Sequence, residues 1–132
     1  MIGLDTNVLL RAFIVDEGEQ TRKARQLSAR ECSAEQPGFV AAIVLAETVW
    51  VLEAVYGYGR DAIAAAVAQL LGADDIGFEY EAEVRTSLSD FPRHRADFSD
   101  ALVAEVNRSA GCTTTATFDR KAAKLAGFSR VR

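Results

Sequence analysis

Short apolar runs alternate along this chain with longer stretches of helical periodicity. Ile2-Gly3-Leu4 has the length and character of a buried strand; Asp5-Thr6-Asn7 stops it, and residues 8–13 take up a helical pattern. Residues 19–30 predict a charged helix with Ala24, Leu27 and Ala29 turned inward. Pro37-Gly38 marks a turn before a second strand at Phe39-Val40-Ala41. Residues 42–56 are apolar on almost every side, which predicts a mostly enclosed helix ended by Gly57-Tyr58-Gly59. A further helix over 60–71 has Ile63, Val67, Leu70 and Leu71 as its stripe. Ile76-Gly77-Phe78 fits a short strand, 81–88 a surface helix, and Asp97 opens another helix that runs to about Ser109. The β-branched residues 112–116 predict a strand, 120–125 a last helix, and 128–131 an edge strand. Strands alternating with helices imply an α/β fold whose mainly parallel sheet, of four to five strands, is covered on both faces.

At 132 residues the chain is expected to form one domain, 1–132, able to enclose its own core. No apolar stretch approaches the roughly 20 residues needed to cross a bilayer, and no basic segment followed by an apolar one opens the chain. The expectation is a cytoplasmic protein without membrane contact. Cys32 and Cys112 stand far apart, outside any zinc-like spacing, and read as two reduced thiols. The net charge of -4 argues against indiscriminate nucleic-acid binding, yet its distribution is uneven. From Arg108 onward, Arg108, Arg120, Lys121, Lys124, Arg130 and Arg132 face only Asp119. Such an end suits phosphate, held beside a metal bound by the acidic body.

Candidate chemistry lies in the carboxylates. Asp5 stands where a strand hands over to a helix, the edge at which open α/β sheets bind ligands; a helix cap is the competing explanation. Glu47 falls inside the apolar helix, where an ionised carboxylate costs several kcal/mol unless a partner or metal compensates; a rim position exposed to water, or pairing with an arginine, is the competing explanation. Asp97 and Asp100 have the spacing of a capping box, which accounts for Asp97 more fully than for Asp100. Asp119 repeats the opening arrangement of strand, Asp and helix. His94, between Arg93 and Arg95, reads as an exposed loop residue. A parallel sheet allows Asp5, Glu47, Asp100 and Asp119 to converge. Two like charges 4 Å apart repel by ~4 kcal/mol at an effective dielectric near 20, so such a group needs protons or a cation. Oxygen-only ligands point to Mg²⁺ or Mn²⁺, and the natural chemistry is metal-assisted hydrolysis of a phosphodiester. Thr6, Asn7 and Thr117 are placed to support the ligands or the scissile phosphate, and serve equally well as turn or cap residues.

Four segments in order, Leu4-Asp5-Thr6-Asn7-Val8-Leu9-Leu10, Leu45-Ala46-Glu47-Thr48-Val49-Trp50-Val51-Leu52, Asp97-Phe98-Ser99-Asp100-Ala101-Leu102-Val103-Ala104 and Thr117-Phe118-Asp119-Arg120-Lys121, resemble the acidic motifs of PIN-domain ribonucleases. Their spacing and the chain length resemble the VapC-type toxins of toxin–antitoxin pairs. The resemblance implies a three-layer α/β/α sandwich and a Mg²⁺- or Mn²⁺-dependent endoribonuclease acting on tRNA or rRNA. It also implies a homodimer and a VapB-type antitoxin that blocks the acidic cleft. The metal-binding and catalytic quartet falls on Asp5, Glu47, Asp100 and Asp119, with Asp97 a secondary acid and Thr117 the hydroxyl behind the fourth motif. Ala122 and Ala123 depart from the bulky apolar residues of many relatives. A PIN nuclease of RNA processing without an antitoxin, or a non-catalytic metal-dependent RNA-binding module, are the alternatives. A phosphoryl transferase using Asp5 as nucleophile is disfavoured, because Asn7 stands where a second Asp is needed. If the basic end meets RNA, reversing Lys121 and Lys124 to Glu lowers RNA affinity and flattens its salt dependence in a titration; an unchanged slope counts against that role.

Overall fold

The apolar runs pair as parallel strands. In a computed structural model describing residues 1–132, the helices are α1 (Thr6–Phe13), α2 (Gly18–Glu31), α3 (Ala42–Ala54), α4 (Arg60–Leu71), α5 (Glu81–Asp90) and α6 (Phe98–Ser109). The strands are β1 (Gly38–Val40), β2 (Ile76–Phe78), β3 (Thr115–Thr117) and β4 (Phe128–Arg130), and two 3-10 turns lie at Phe91–Arg93 and Ala122–Lys124. The chain divides into two packed units, Met1–Glu79 and Tyr80–Arg132.

In the first unit β1 and β2 are parallel, with Phe39 opposite Gly77. On the other side of β1, Gly3 makes a parallel bridge to Phe39; Phe39 N donates to Ile2 O (2.7 Å) and Leu4 N to Phe39 O (2.9 Å). Within this unit β1 therefore takes the middle place and the opening run lies beside it. Leu9, Val40, Leu45, Ile63, Val67 and Leu70 are buried in its core. Each large aliphatic side chain so enclosed contributes about 2 kcal/mol relative to an exposed one. The α4 stripe is as expected, with Ile63, Val67, Leu70 and Leu71 all buried. On α2 the inward face is Thr21, Ala24 and Ser28, and Ala29 is exposed. Positions 21, 24 and 28 follow the helical spacing, and the Thr21 hydroxyl satisfies itself on Glu17 O.

The expected enclosure of α3 does not hold. Leu45, Thr48, Val49 and Leu52 are buried, whereas Ile43 is 79% exposed, Trp50 62% and the following Val55 67%. Continuous apolar character here does not mean continuous burial.

In the second unit β3 and β4 are parallel, with Ala116 opposite Ser129. α5 and α6 pack around Val84, Phe91, Phe98 and Leu102, and the Phe91 and Phe98 rings meet edge to face at 5.8 Å. His94 is half-buried rather than exposed, its ring edge-on to Phe91 at 5.7 Å. The helix expected over 120–125 is only the 3-10 turn at Ala122–Lys124. Asp119 Oδ1 accepts from Lys121 N (2.7 Å) and Ala122 N (3.3 Å), which caps the start of this turn. Gly127, at φ 96°, reverses the chain before a longer helix can nucleate.

Gly38 is a tight point under the first strand end. A Cβ there would stand 2.8 Å from Cys32 Sγ and 2.9 Å from Leu4 Cδ1, and both neighbours are buried. Gly38→Ala should lower the unfolding free energy by about 1–3 kcal/mol in urea titrations, through overpacking against the residue that precedes Asp5. An unchanged midpoint would show that Leu4 and Cys32 yield freely.

Candidate functional site

In the first unit the site starts where the opening run ends. Asp5 has extended backbone and is the N-cap of α1, with Oδ1 accepting from Val8 N at 3.0 Å. The capping explanation is thus correct as geometry, and it uses one carboxylate oxygen only. One residue on, the buried Thr6 donates its hydroxyl to Glu47 Oε1, joining α1 to α3. Asp5, Thr6 and Glu47 line a cavity of about 380 Å³ together with Asn7, Leu10, Val44 and Val51. Leu10, Val44 and Val51 were not singled out from sequence. The signal was available, since 44, 47 and 51 share one helical face and so do 6 and 10.

Glu47 itself is exposed. The expectation of a carboxylate enclosed by apolar neighbours is therefore overturned: the outward face of α3 meets solvent. What distinguishes Glu47 is the Thr6 hydroxyl fixing one of its oxygens. Asn7 turns away from both acids; its Nδ2 donates to Gln20 Oε1 (3.2 Å) and its Oδ1 accepts from Arg11 Nε (3.4 Å).

In the second unit the capping box is half formed, and by the other partner. Asp97 is the N-cap of α6 but makes no side-chain cap bond, while the Asp100 carboxylate accepts the Asp97 backbone N–H. The structural role thus belongs to Asp100, and Asp97 is exposed with its carboxylate uncommitted. Asp100 is held above the usual carboxylate range, first by burial, then by the negative charges of Asp97 and Asp119. Asp97 and Asp119 thus each lie within electrostatic reach of Asp100. Thr117 supports the exposed Asp119 through the backbone, its Oγ1 accepting from Asp119 N at 3.0 Å.

Asp5, Glu47, Asp97, Asp100 and Asp119 take part in no salt bridge, although six ion pairs form elsewhere on the chain. Within neither unit do three or more carboxylate, imidazole or thiol groups come close enough to hold an ion by themselves. The first unit presents Asp5 and Glu47; the second presents Asp97, Asp100 and Asp119. All the donors are oxygens, each of the quartet keeps an oxygen beyond its local hydrogen bond, and no cation compensates them. By donor chemistry these residues fit a hard divalent ion.

Parallel α/β units with uncompensated acids after strand ends define a class built for metal-assisted phosphoester chemistry. The PIN domain family matches residues 2–128, and the chain belongs to that family. The match spans both units. The family fold is the expected three-layer α/β/α sandwich, and its members are generally nucleases that use divalent metals and act on RNA. No curated protein matches the chain. No helix is long and apolar enough to cross a membrane.

The Asp100 shift carries a stability consequence. Its folded-state pKa is raised, so its favourable contribution is present below the ordinary carboxylate range and is lost as pH rises through the elevated value. With chelator at neutral pH, Asp100→Asn should raise the melting temperature by a few degrees, and the gain should vanish at acid pH. A melting temperature lowered at neutral pH would instead assign Asp100 a purely structural role as the Asp97 cap.

Proposed function

We propose that the protein is a Mg²⁺- or Mn²⁺-dependent endoribonuclease, the toxin of a VapB-type antitoxin, cutting tRNA or rRNA in the cytoplasm. The observation that carries this reading is the set of four carboxylates, each fixed through a local donor and none neutralised by a cation. Asp5, Glu47, Asp100 and Asp119 are the proposed catalytic metal ligands, two from each unit. The match over 2–128 supports treating both units as one PIN domain. The exposed Ile43, Trp50 and Val55 supply an apolar face that supports a homodimer.

A bound divalent ion supplies an acidified water and neutralises charge gathering on the phosphodiester. The protein's own share is positioning. Thr6 holds one oxygen of Glu47, which aims the other. Val8 N–H does the same for Asp5, and Lys121 N–H and Ala122 N–H for Asp119. Thr117 fixes the backbone from which Asp119 projects, and the uncommitted Asp97 adds negative charge beside Asp100. Asn7 ties α1 to α2 at the rim of the cavity.

Antitoxin-free protein incubated with total RNA should give discrete fragments with Mg²⁺ or Mn²⁺ and none with chelator. Asp5→Asn and Glu47→Gln should remove the activity. Thr6→Val, which keeps shape and loses the hydroxyl, should lower kcat about 10- to 100-fold with little change in KM. Intact RNA under every condition would refute the nuclease.

A further inference from the structure

The first unit holds six basic against twelve acidic side chains, so a cation left without an acid there is unusual. Arg22 is paired with Glu19, Arg25 with Asp16 and Arg30 with Glu31, and Arg60 has a partner of its own. The remaining two, Arg11 and Lys23, make no ion pair and line the same groove between α1 and α2, of about 270 Å³. No carboxylate lines that groove. Its floor is Val8 and Leu27, and its polar rim is Asn7 and Gln20, bonded to each other.

Arg11 is pre-oriented by neutral groups. Its Nη1 donates to Glu17 O at 2.9 Å and its Nε to Asn7 Oδ1 at 3.4 Å. These contacts restrict the guanidinium without cancelling its charge. Gly18, at φ 86°, lets the chain turn between Glu17 and α2 beside this guanidinium. The groove adjoins the acidic cavity: Asn7 lines both, with Asp5, Thr6 and Glu47 in one and Arg11 and Lys23 in the other. From Asn7 to Arg11 is about one helical turn, ~5.4 Å.

We infer that the α1–α2 groove is a subsite for the phosphate backbone of a single-stranded nucleic-acid segment flanking the scissile bond, with Arg11 and Lys23 as its phosphate contacts. This rests on the nuclease reading of the adjoining cavity. A polyanion is the occupant that the charge selects: in an acidic unit two cations without an ion pair line one groove that no carboxylate lines, next to the cavity where a phosphodiester would be cut. The apolar floor suits the faces of sugars and bases, while the amides of Asn7 and Gln20 offer neutral hydrogen bonds. Lys23 lies outside the inward positions that the sequence pattern marks on this helix; only the packing of α2 against α1 brings it into one groove with Arg11.

The test separates binding from cleavage. The full chain and its Arg11→Gln, Lys23→Gln and double variants are titrated with a fluorescent single-stranded RNA oligonucleotide in Ca²⁺, at several salt concentrations, and assayed for cleavage in Mg²⁺. Each variant should weaken binding about three- to fivefold, and each lost contact should reduce the slope of log affinity against log salt by about 0.7. KM should rise in step with kcat nearly unchanged. Arg11→Lys should recover most of the affinity, which identifies charge as the cause, and melting curves should match the parent for Lys23→Gln, an exposed position. Parental affinity and salt slope in the double variant would overturn the subsite. A parent that binds the oligonucleotide with this salt dependence yet cuts nothing would refute the nuclease and leave the groove standing. A double variant that loses kcat alone would reassign Arg11 to positioning Asn7.

Discussion

Carboxylates that no base neutralises are the constraint on which this protein is arranged. The chain has basic residues enough to pair several of them, and it spends those elsewhere, on exposed partners such as Glu19, Glu31 and Glu81. Exposed pairs of that kind contribute little, on the order of 0–1 kcal/mol each. Asp5 and Glu47 instead each receive one hydrogen bond, Asp119 receives two backbone N–H groups on one oxygen, and Asp100 receives a backbone N–H. A donor of this kind fixes direction without discharging the anion. Orientation is thereby separated from neutralisation, and neutralisation is left to something that arrives from solution.

The supports of these side chains belong to the fold rather than to the loops. Asp5 follows Leu4, whose N–H is held by Phe39 O and whose side chain abuts Gly38. Glu47 lies on α3, anchored by the fully buried Leu45, Thr48 and Leu52. Asp100 sits in the first turn of α6 beneath the buried Phe98 and Ala101, and Asp119 closes the turn that follows β3. Packing errors under these positions therefore reach the carboxylates directly.

Much of this was readable from residue pattern. The strand at Ile76–Phe78 and the helix Arg60–Leu71 fall where alternation and stripe place them, because local preference and burial agree there. Asp119 follows a strand, Asp5 the opening run, Asp100 stands in a first helical turn and Glu47 one to two turns into a helix, where the residue pattern puts them. Other readings failed. Glu47 looked enclosed because its neighbours are apolar, yet apolarity does not say which face of a helix finds a partner. Asp97 and Asp100 keep their capping-box positions, but only the Asp100 half of the box forms. The last helix shortened to a 3-10 turn, with Gly127 at φ 96° reversing the chain just beyond it. Arg11 and Lys23 carried no signal at all in the sequence, since their pairing across two helices depends on a packing angle that periodicity does not encode.

An acidic protein of net charge -4 that handles a polyanion needs an account of how attraction arises. At physiological ionic strength the Debye length is about 8 Å, so the total charge is a poor guide to the field a phosphate meets at the surface. What acts over that distance is the local balance. No carboxylate of the first unit lines the α1–α2 groove and several are already paired, while Arg11 and Lys23 line it without an ion pair. The acids of the cavity would repel phosphate as long as they were bare, and would attract it once a divalent ion had joined them. Metal and substrate would then favour one another's binding, and a negatively charged body would exclude nucleic acid from every surface except the one where the charge has been arranged to admit it.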